Sequence, residues 1–153
     1  MTPPVVIGVG NVYRSDDGVG PEVVDLLRHR GLDGISLEYS LGESADLIDR
    51  WAGVPLAVVV DAVRARPAHP GRVHHLVVPD VHTERIRAAS SHGLDLGEAV
   101  ELARVLDRLP DRLELFAIEV DNVELGTGLS EPVAAAAKRV ADEIHALLCP
   151  GVA

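Results

Sequence analysis

The stretch that decides the fold is LAVVVD, residues 56–61, in which five apolar residues precede an aspartate. An uninterrupted apolar run of this length is typical of a central strand in a parallel sheet that helices cover on both faces. VVIGV, residues 5–9, is a second run of this kind, bounded by Pro3-Pro4 and Gly10. Together the two runs predict a parallel sheet between two layers of helices.

The rest of the chain alternates between strand and helix patterns. Strands are predicted at residues 35–39, 72–78 and 113–118, and helices at 21–30, 45–52, 94–109 and 130–147, the last with Ser130 as N-cap. Residues 64–71, 79–91 and 122–129 are predicted as loops. We therefore predict one domain over residues 1–153: an α/β three-layer sandwich with a mainly parallel, twisted sheet of about five strands flanked by helices.

Composition and charge exclude several classes of protein. The 24 acidic and 14 basic residues give a net charge of −10, which argues against nucleic-acid binding because a phosphate backbone needs a cationic surface. Cys149 is the single cysteine, so a disulfide framework and a cysteine-rich metal cluster are both excluded. No apolar run reaches the ~18 residues of a membrane span, and the N-terminus carries no signal-peptide pattern. We expect a cytoplasmic protein that binds no membrane.

Polar residues gather where the predicted strands end. GNVYRSDDGVG (10–20) follows the first strand and Asp61 the third, while His92 precedes a helix and Glu119 and Asp121 follow the last strand. Loops at the carboxyl ends of parallel strands converge, so these groups are expected on one rim. Two or three carboxylates and one imidazole could bind a divalent transition metal, with water or a substrate group completing the site.

Each of these residues also has an ordinary structural explanation. Asp16 or Asp17 alone is more often a turn or N-cap residue, and an isolated His92 usually packs at a helix start. Asp61, at the end of a valine-rich strand, needs a partner or a ligand. The sequence contains no Gly-x-Ser-x-Gly and no His-Glu-x-x-His motif, so the common serine-hydrolase and zincin signatures are absent.

Four segments, taken in order, resemble the nickel–iron hydrogenase maturation endopeptidases. They are GVGNVYRSDDGVGPEVV (8–24), VVVDAV (58–63), SSHGLDLGEAVELAR (90–104) and AIEVDNVELGTGLSEPV (117–133). The resemblance covers nearly the whole chain and implies the same α/β sandwich. It departs at LGESA (41–45), where many members carry a Gly-Gly-Thr-x-Gly-like element.

The resemblance implies a metal-dependent, aspartic-type endopeptidase activity. Members of this family remove a C-terminal extension from the hydrogenase large-subunit precursor once nickel has been inserted. Their metal-contacting residues fall on Asp17, Asp61 and His92 here, which would be both the catalytic residues and the metal ligands. The nickel would arrive with the substrate, and another divalent cation could occupy the site in vitro. Asp16 would either support the ligands from behind or order the loop.

Two other functions remain open at this point. A non-catalytic nickel-binding assembly chaperone could use the same three residues without breaking a peptide bond. A peptidyl-tRNA hydrolase-like esterase shares a Gly-x-Gly-Asn loop after its first strand, but that activity needs a basic surface, and the charge of −10 opposes it.

Overall fold

The structure, a computed structural model, describes residues 2–78 and 94–149, with side chains from residue 96 in the second segment. Within these residues, five strands form one sheet: β1 (Val5–Val9), β2 (Ser36–Ser40), β3 (Ala57–Val63), β4 (Val73–Val78) and β5 (Leu113–Glu119). Four α-helices of the same described ranges flank it: α1 (Val19–Arg28), α2 (Ser44–Trp51), α3 (Leu94–Val105) and α4 (Glu131–Leu148). A short 3-10 helix (Ser15–Gly18) connects β1 to α1.

The strands lie in the order β2-β1-β3-β5-β4, and all neighbouring pairs are parallel except β4 with β5. Val5 is in register with Ser36 on one side and Ala57 on the other. The predicted α/β fold with a mainly parallel sheet of five strands is confirmed. The antiparallel edge strand β4 is the one exception to parallel pairing in this sheet.

Each face of the sheet packs against its own pair of helices. Because side chains alternate along a strand, Val59 of β3 faces the α2–α3 layer while Val58 and Val60 face the α1–α4 layer. Trp51 of α2 and Phe116 of β5 are the largest fully buried side chains, one in each layer. This double burial explains why LAVVV carries no polar residue.

Several element boundaries differ from the predicted ones. β1 has the predicted bounds, but β3 continues past Val60 and includes Asp61, which is in register with Ala117. Helix α3 ends at Val105 rather than at residue 109. The predicted loop at 79–91, together with His92, lies outside the described residues. No helix within the described ranges is long and apolar enough to cross a membrane.

Candidate active site

A cleft of about 430 Å³ opens at the carboxyl ends of β1 and β3. Asp17, which follows β1, and Asp61, on β3, both line it. The structure thus brings together two carboxylates that are far apart in the sequence, at the edge where loops of a parallel sheet converge. Leu41, Leu47 and Leu96 give the cleft apolar walls.

Asp17 is held in place by the loop that carries it. Its Oδ2 accepts a hydrogen bond of 2.8 Å from the backbone N–H of Asn11. Gly10, at φ +143°, passes so close that an added Cβ would lie 1.9 Å from the carbonyl oxygen of Asp17. Glycine is therefore needed at position 10 for both its dihedral angle and its lack of a side chain, and the tight turn orients the carboxylate.

The start of α1 is pressed against the sheet just beneath the cleft. A Cβ on Gly20 would lie 2.5 Å from the carbonyl oxygens of both Val9 and Val60. Gly20 therefore lets α1 approach β1 and β3 closely, and it belongs to the helix, which starts at Val19 rather than at the predicted residue 21. This contact sets the position of Asp17 relative to Asp61.

Asp61 projects from β3 on the side of α2 and α3. It has the same parity along the strand as Ala57 and Val59, which pack in that layer. Its Oδ1 accepts a hydrogen bond of 2.8 Å from the backbone N–H of Ala62. The side chain is partly exposed and lines the cleft.

Asp16, next to Asp17, is fully buried and ties two loops together. Its carboxylate accepts hydrogen bonds from the backbone N–H of Ser130 at 2.7 Å and from the Ser130 hydroxyl at 2.9 Å. Longer contacts of 3.4 Å reach the N–H groups of Asp121 and Asn122. Of the two roles predicted for Asp16, these contacts favour the ordering of the loop. Ser130 occupies the N-cap position of α4, but its hydroxyl makes no capping bond and instead donates to Asp16.

The third predicted ligand, His92, lies outside the described residues. Leu96, four residues later in the sequence, lines the cleft. Among the residues that the structure describes, no three His, Cys, Asp or Glu side chains are grouped as a metal site requires. Asp17 and Asp61 offer carboxylate oxygens as ligands. A site for a divalent transition metal would combine these oxygens with an imidazole nitrogen.

Glu119 does not line this cleft, although its position after the last predicted strand placed it on the same rim. The buried carboxylate bonds His74 Nε2 at 2.8 Å and the backbone N–H of His69 at 3.0 Å, beside β4. Burial acts to raise the pKa of Glu119, but these two hydrogen bonds and the charges of His74 and Arg72 outweigh it and hold the pKa below its usual value. Glu119 fastens the edge strand to the sheet.

Sequence reasoning missed two cations of the cleft, Arg14 and Arg64. Both side chains are exposed. Their nearness in sequence to the two aspartates could have indicated them. Arg14 lies in the glycine loop between Asn11 and Asp17, and Arg64 comes three residues after Asp61. The described cleft therefore carries two carboxylates and two guanidinium groups.

The molecule is an α/β protein with a mainly parallel sheet between two layers of helices. Its two carboxylates lie in a cleft at the carboxyl ends of the strands, where α/β enzymes usually bind their substrates. The chain belongs to the hydrogenase maturation protease family, whose model matches residues 43–147. It is 26% identical over 149 residues to the hydrogenase 2 maturation protease of Escherichia coli K12, covering 94% of this chain and 89% of that protein. It is 31% identical over 143 residues to the hydrogenase expression/formation protein HoxM of Azotobacter vinelandii, covering 88% and 68%.

Solved structures agree on the fold. The hydrogenase maturating endopeptidase HybD from Escherichia coli superposes with a TM-score of 0.81 at 22% identity, covering 95% of this chain and 91% of that one. A [NiFe] hydrogenase maturation protease HybD from Thermococcus kodakarensis gives 0.75 at 21% identity, covering 96% and 99%. The chain is thus a maturation protease by family and has the fold of these structures.

Proposed function

We propose that this protein is the endopeptidase that removes the C-terminal extension from a nickel–iron hydrogenase large-subunit precursor after nickel insertion. The observation that carries the proposal is that Asp17, in the 3-10 helix after β1, and Asp61, on β3, line one cleft. Membership of the maturation protease family and the likeness to the hydrogenase 2 maturation protease support it.

In this proposal, Asp17, Asp61 and His92 bind the nickel that the precursor already carries. Carboxylate oxygens and an imidazole nitrogen are suitable ligands for a divalent transition metal. Leu96 supports the inclusion of His92, because it lines the cleft only four residues further along the chain. A precursor without nickel could not form the bonds between nickel and these three ligands, so its C-terminal segment would not bind in the cleft. Cleavage would therefore occur only after metal insertion.

Hydrolysis adds water across the scissile amide, leaving a carboxylate on the large subunit and a free amine on the tail. A carboxylate of the cleft can accept the proton of the attacking water. The substrate's nickel can polarise the scissile carbonyl. The apolar side chains of Leu41, Leu47 and Leu96 would contact the bound peptide.

The test follows the mass of a purified, nickel-loaded precursor during incubation with each enzyme variant. We expect Asp17→Asn, Asp61→Asn and His92→Ala each to slow cleavage by about 100-fold or more, the size of effect typical for a lost acid–base group. Asp33→Asn is the matched control, since Asp33 is exposed in the loop between α1 and β2 at the opposite edge of the sheet. Nickel-free precursor should stay uncut by the wild type.

The results also discriminate between the competing functions. Normal processing by all three variants would contradict the proposed site. A stable complex with wild-type protein and a precursor of unchanged mass would instead favour the assembly chaperone. Tight binding of tRNA at low salt would favour the esterase, although the net charge of −10 opposes it.

A further inference from the structure

Arg14 and Arg64 are the two arginines that line the cleft within the described residues. Several guanidinium groups elsewhere form ion pairs: Arg50 bonds Glu38 at 2.7 Å and Asp46 at 2.8 Å, and Arg112 bonds Glu114 at 2.8 Å. No salt bridge or hydrogen bond joins the Arg14 or Arg64 side chain to any residue in the described ranges. In a protein of net charge −10, unpaired cations in the cleft that holds Asp17 and Asp61 call for a separate explanation.

The two arginines do not serve to hold the carboxylate of Asp17. Asp17 accepts a backbone N–H from Asn11, and Asp61 accepts one from Ala62. No ion pair joins Asp17 to Arg14 or Arg64 within the described part of the chain. The carboxylate of Asp17 therefore does not account for the two guanidinium groups that share the cleft with it.

The backbone on which Arg14 sits is fixed by a second loop. Arg14 forms an isolated parallel bridge with Gly126. Ser15 donates its N–H to the Gly126 carbonyl at 3.0 Å, and Gly126 donates its own N–H to the Tyr13 carbonyl at 2.9 Å. Arg64 directly follows the last residue of β3. Both side chains thus start from ordered backbone at the cleft, which lowers the entropy lost when they bind a ligand.

We propose that Arg14 and Arg64 bind a carboxylate of the precursor segment that enters the cleft, so that the enzyme selects acidic residues beside the scissile bond. The planar guanidinium fork matches the two oxygens of a carboxylate, and it stays charged at every physiological pH. The inference rests on the proposed function and deepens it. The two arginines are specificity-determining residues, distinct from the aspartates that meet the metal.

The experiment measures kcat and KM for Arg14→Gln, Arg64→Gln and the double variant on two nickel-loaded precursors. One precursor is natural. In the other, every Asp and Glu within about four residues of the cut, ~14 Å of extended chain, is changed to its amide. Arg104→Gln is the matched control, because Arg104 is also exposed and without a described side-chain partner, but lies near the end of α3.

We expect each single variant to raise KM on the natural precursor by about three- to tenfold, as for partly exposed charge-assisted pairs, with kcat nearly unchanged. The same variants should have no effect on the amide precursor, and Arg14→Lys or Arg64→Lys should restore part of the affinity. Variants equal to Arg104→Gln on both precursors would overturn the inference. So would a fall in kcat that is independent of substrate charge, since it would place the arginines on the reacting carbonyl oxygen. If the wild type cuts neither precursor, it is the proposed function that fails.

Discussion

Replacing Asp16 tests whether one buried carboxylate holds the two loops beside the cleft. The Asp16→Ala variant loses two short hydrogen bonds from Ser130, at 2.7 and 2.9 Å, and leaves both Ser130 donors facing a void. A hydrogen bond to a charged group contributes about 1.5–3 kcal/mol, so the two together predict a loss of about 4 kcal/mol. That is a large part of the ~5–15 kcal/mol by which domains are stable.

Urea denaturation followed by circular dichroism measures this loss. With a slope of about 2 kcal/mol/M, a 4 kcal/mol loss lowers the unfolding midpoint by ~2 M. The exposed Asp33 supplies the control, and Asp33→Ala should leave the midpoint within ~0.3 M of wild type. An Asp16→Ala midpoint no lower than that of the control would refute the reasoning.

A double-mutant cycle identifies the partner. Ser130→Ala should cost about 1 kcal/mol in the wild type and almost nothing once Asp16 is alanine, because the hydroxyl donates to that carboxylate. If the hydroxyl instead capped α4, Ser130→Ala would cost the same in both backgrounds. Equal costs would therefore contradict the contact seen in the structure.

Two further predictions concern the packing and the pH dependence of stability. Gly20→Ala should lower the free energy of unfolding by about 3 kcal/mol or more, because its Cβ would lie 2.5 Å from backbone carbonyls of β1 and β3. Gly53, at φ +73°, has open space around it, so Gly53→Ala should lower the same free energy, measured by urea denaturation, by only about 1 kcal/mol. Because hydrogen bonds such as that from His74 lower the pKa of Glu119 in the folded state, Glu119 stabilises the fold above its ordinary pKa of 4.5, and this contribution is lost as the pH falls through the lower folded value. Glu119→Gln should therefore flatten the acid limb of a plot of unfolding free energy against pH, and an unchanged slope would count against the interaction.

The sequence by itself determined the two central strands of the sheet and the meeting of Asp17 with Asp61 in one cleft. A strand covered on both faces must be apolar at every position, so VVIGV and LAVVV marked β1 and β3 without further information. Their parallel pairing then placed the polar residues that follow β1 near the end of β3. The meeting of Asp17 with Asp61 could be predicted from that rule alone.

Only the tertiary structure decided how the neighbouring polar groups are distributed. The sequence offered Asp16 and Glu119 as members of the same rim, yet Asp16 is buried against Ser130, and Glu119 binds His74 at the edge strand. Local patterns could not give these pairs, because each joins segments distant in the chain and depends on which loops touch. Arg14 and Arg64 could not be predicted for the same reason. Their place in the cleft depends on the conformation of the loops around it, which hydrophobic periodicity does not determine.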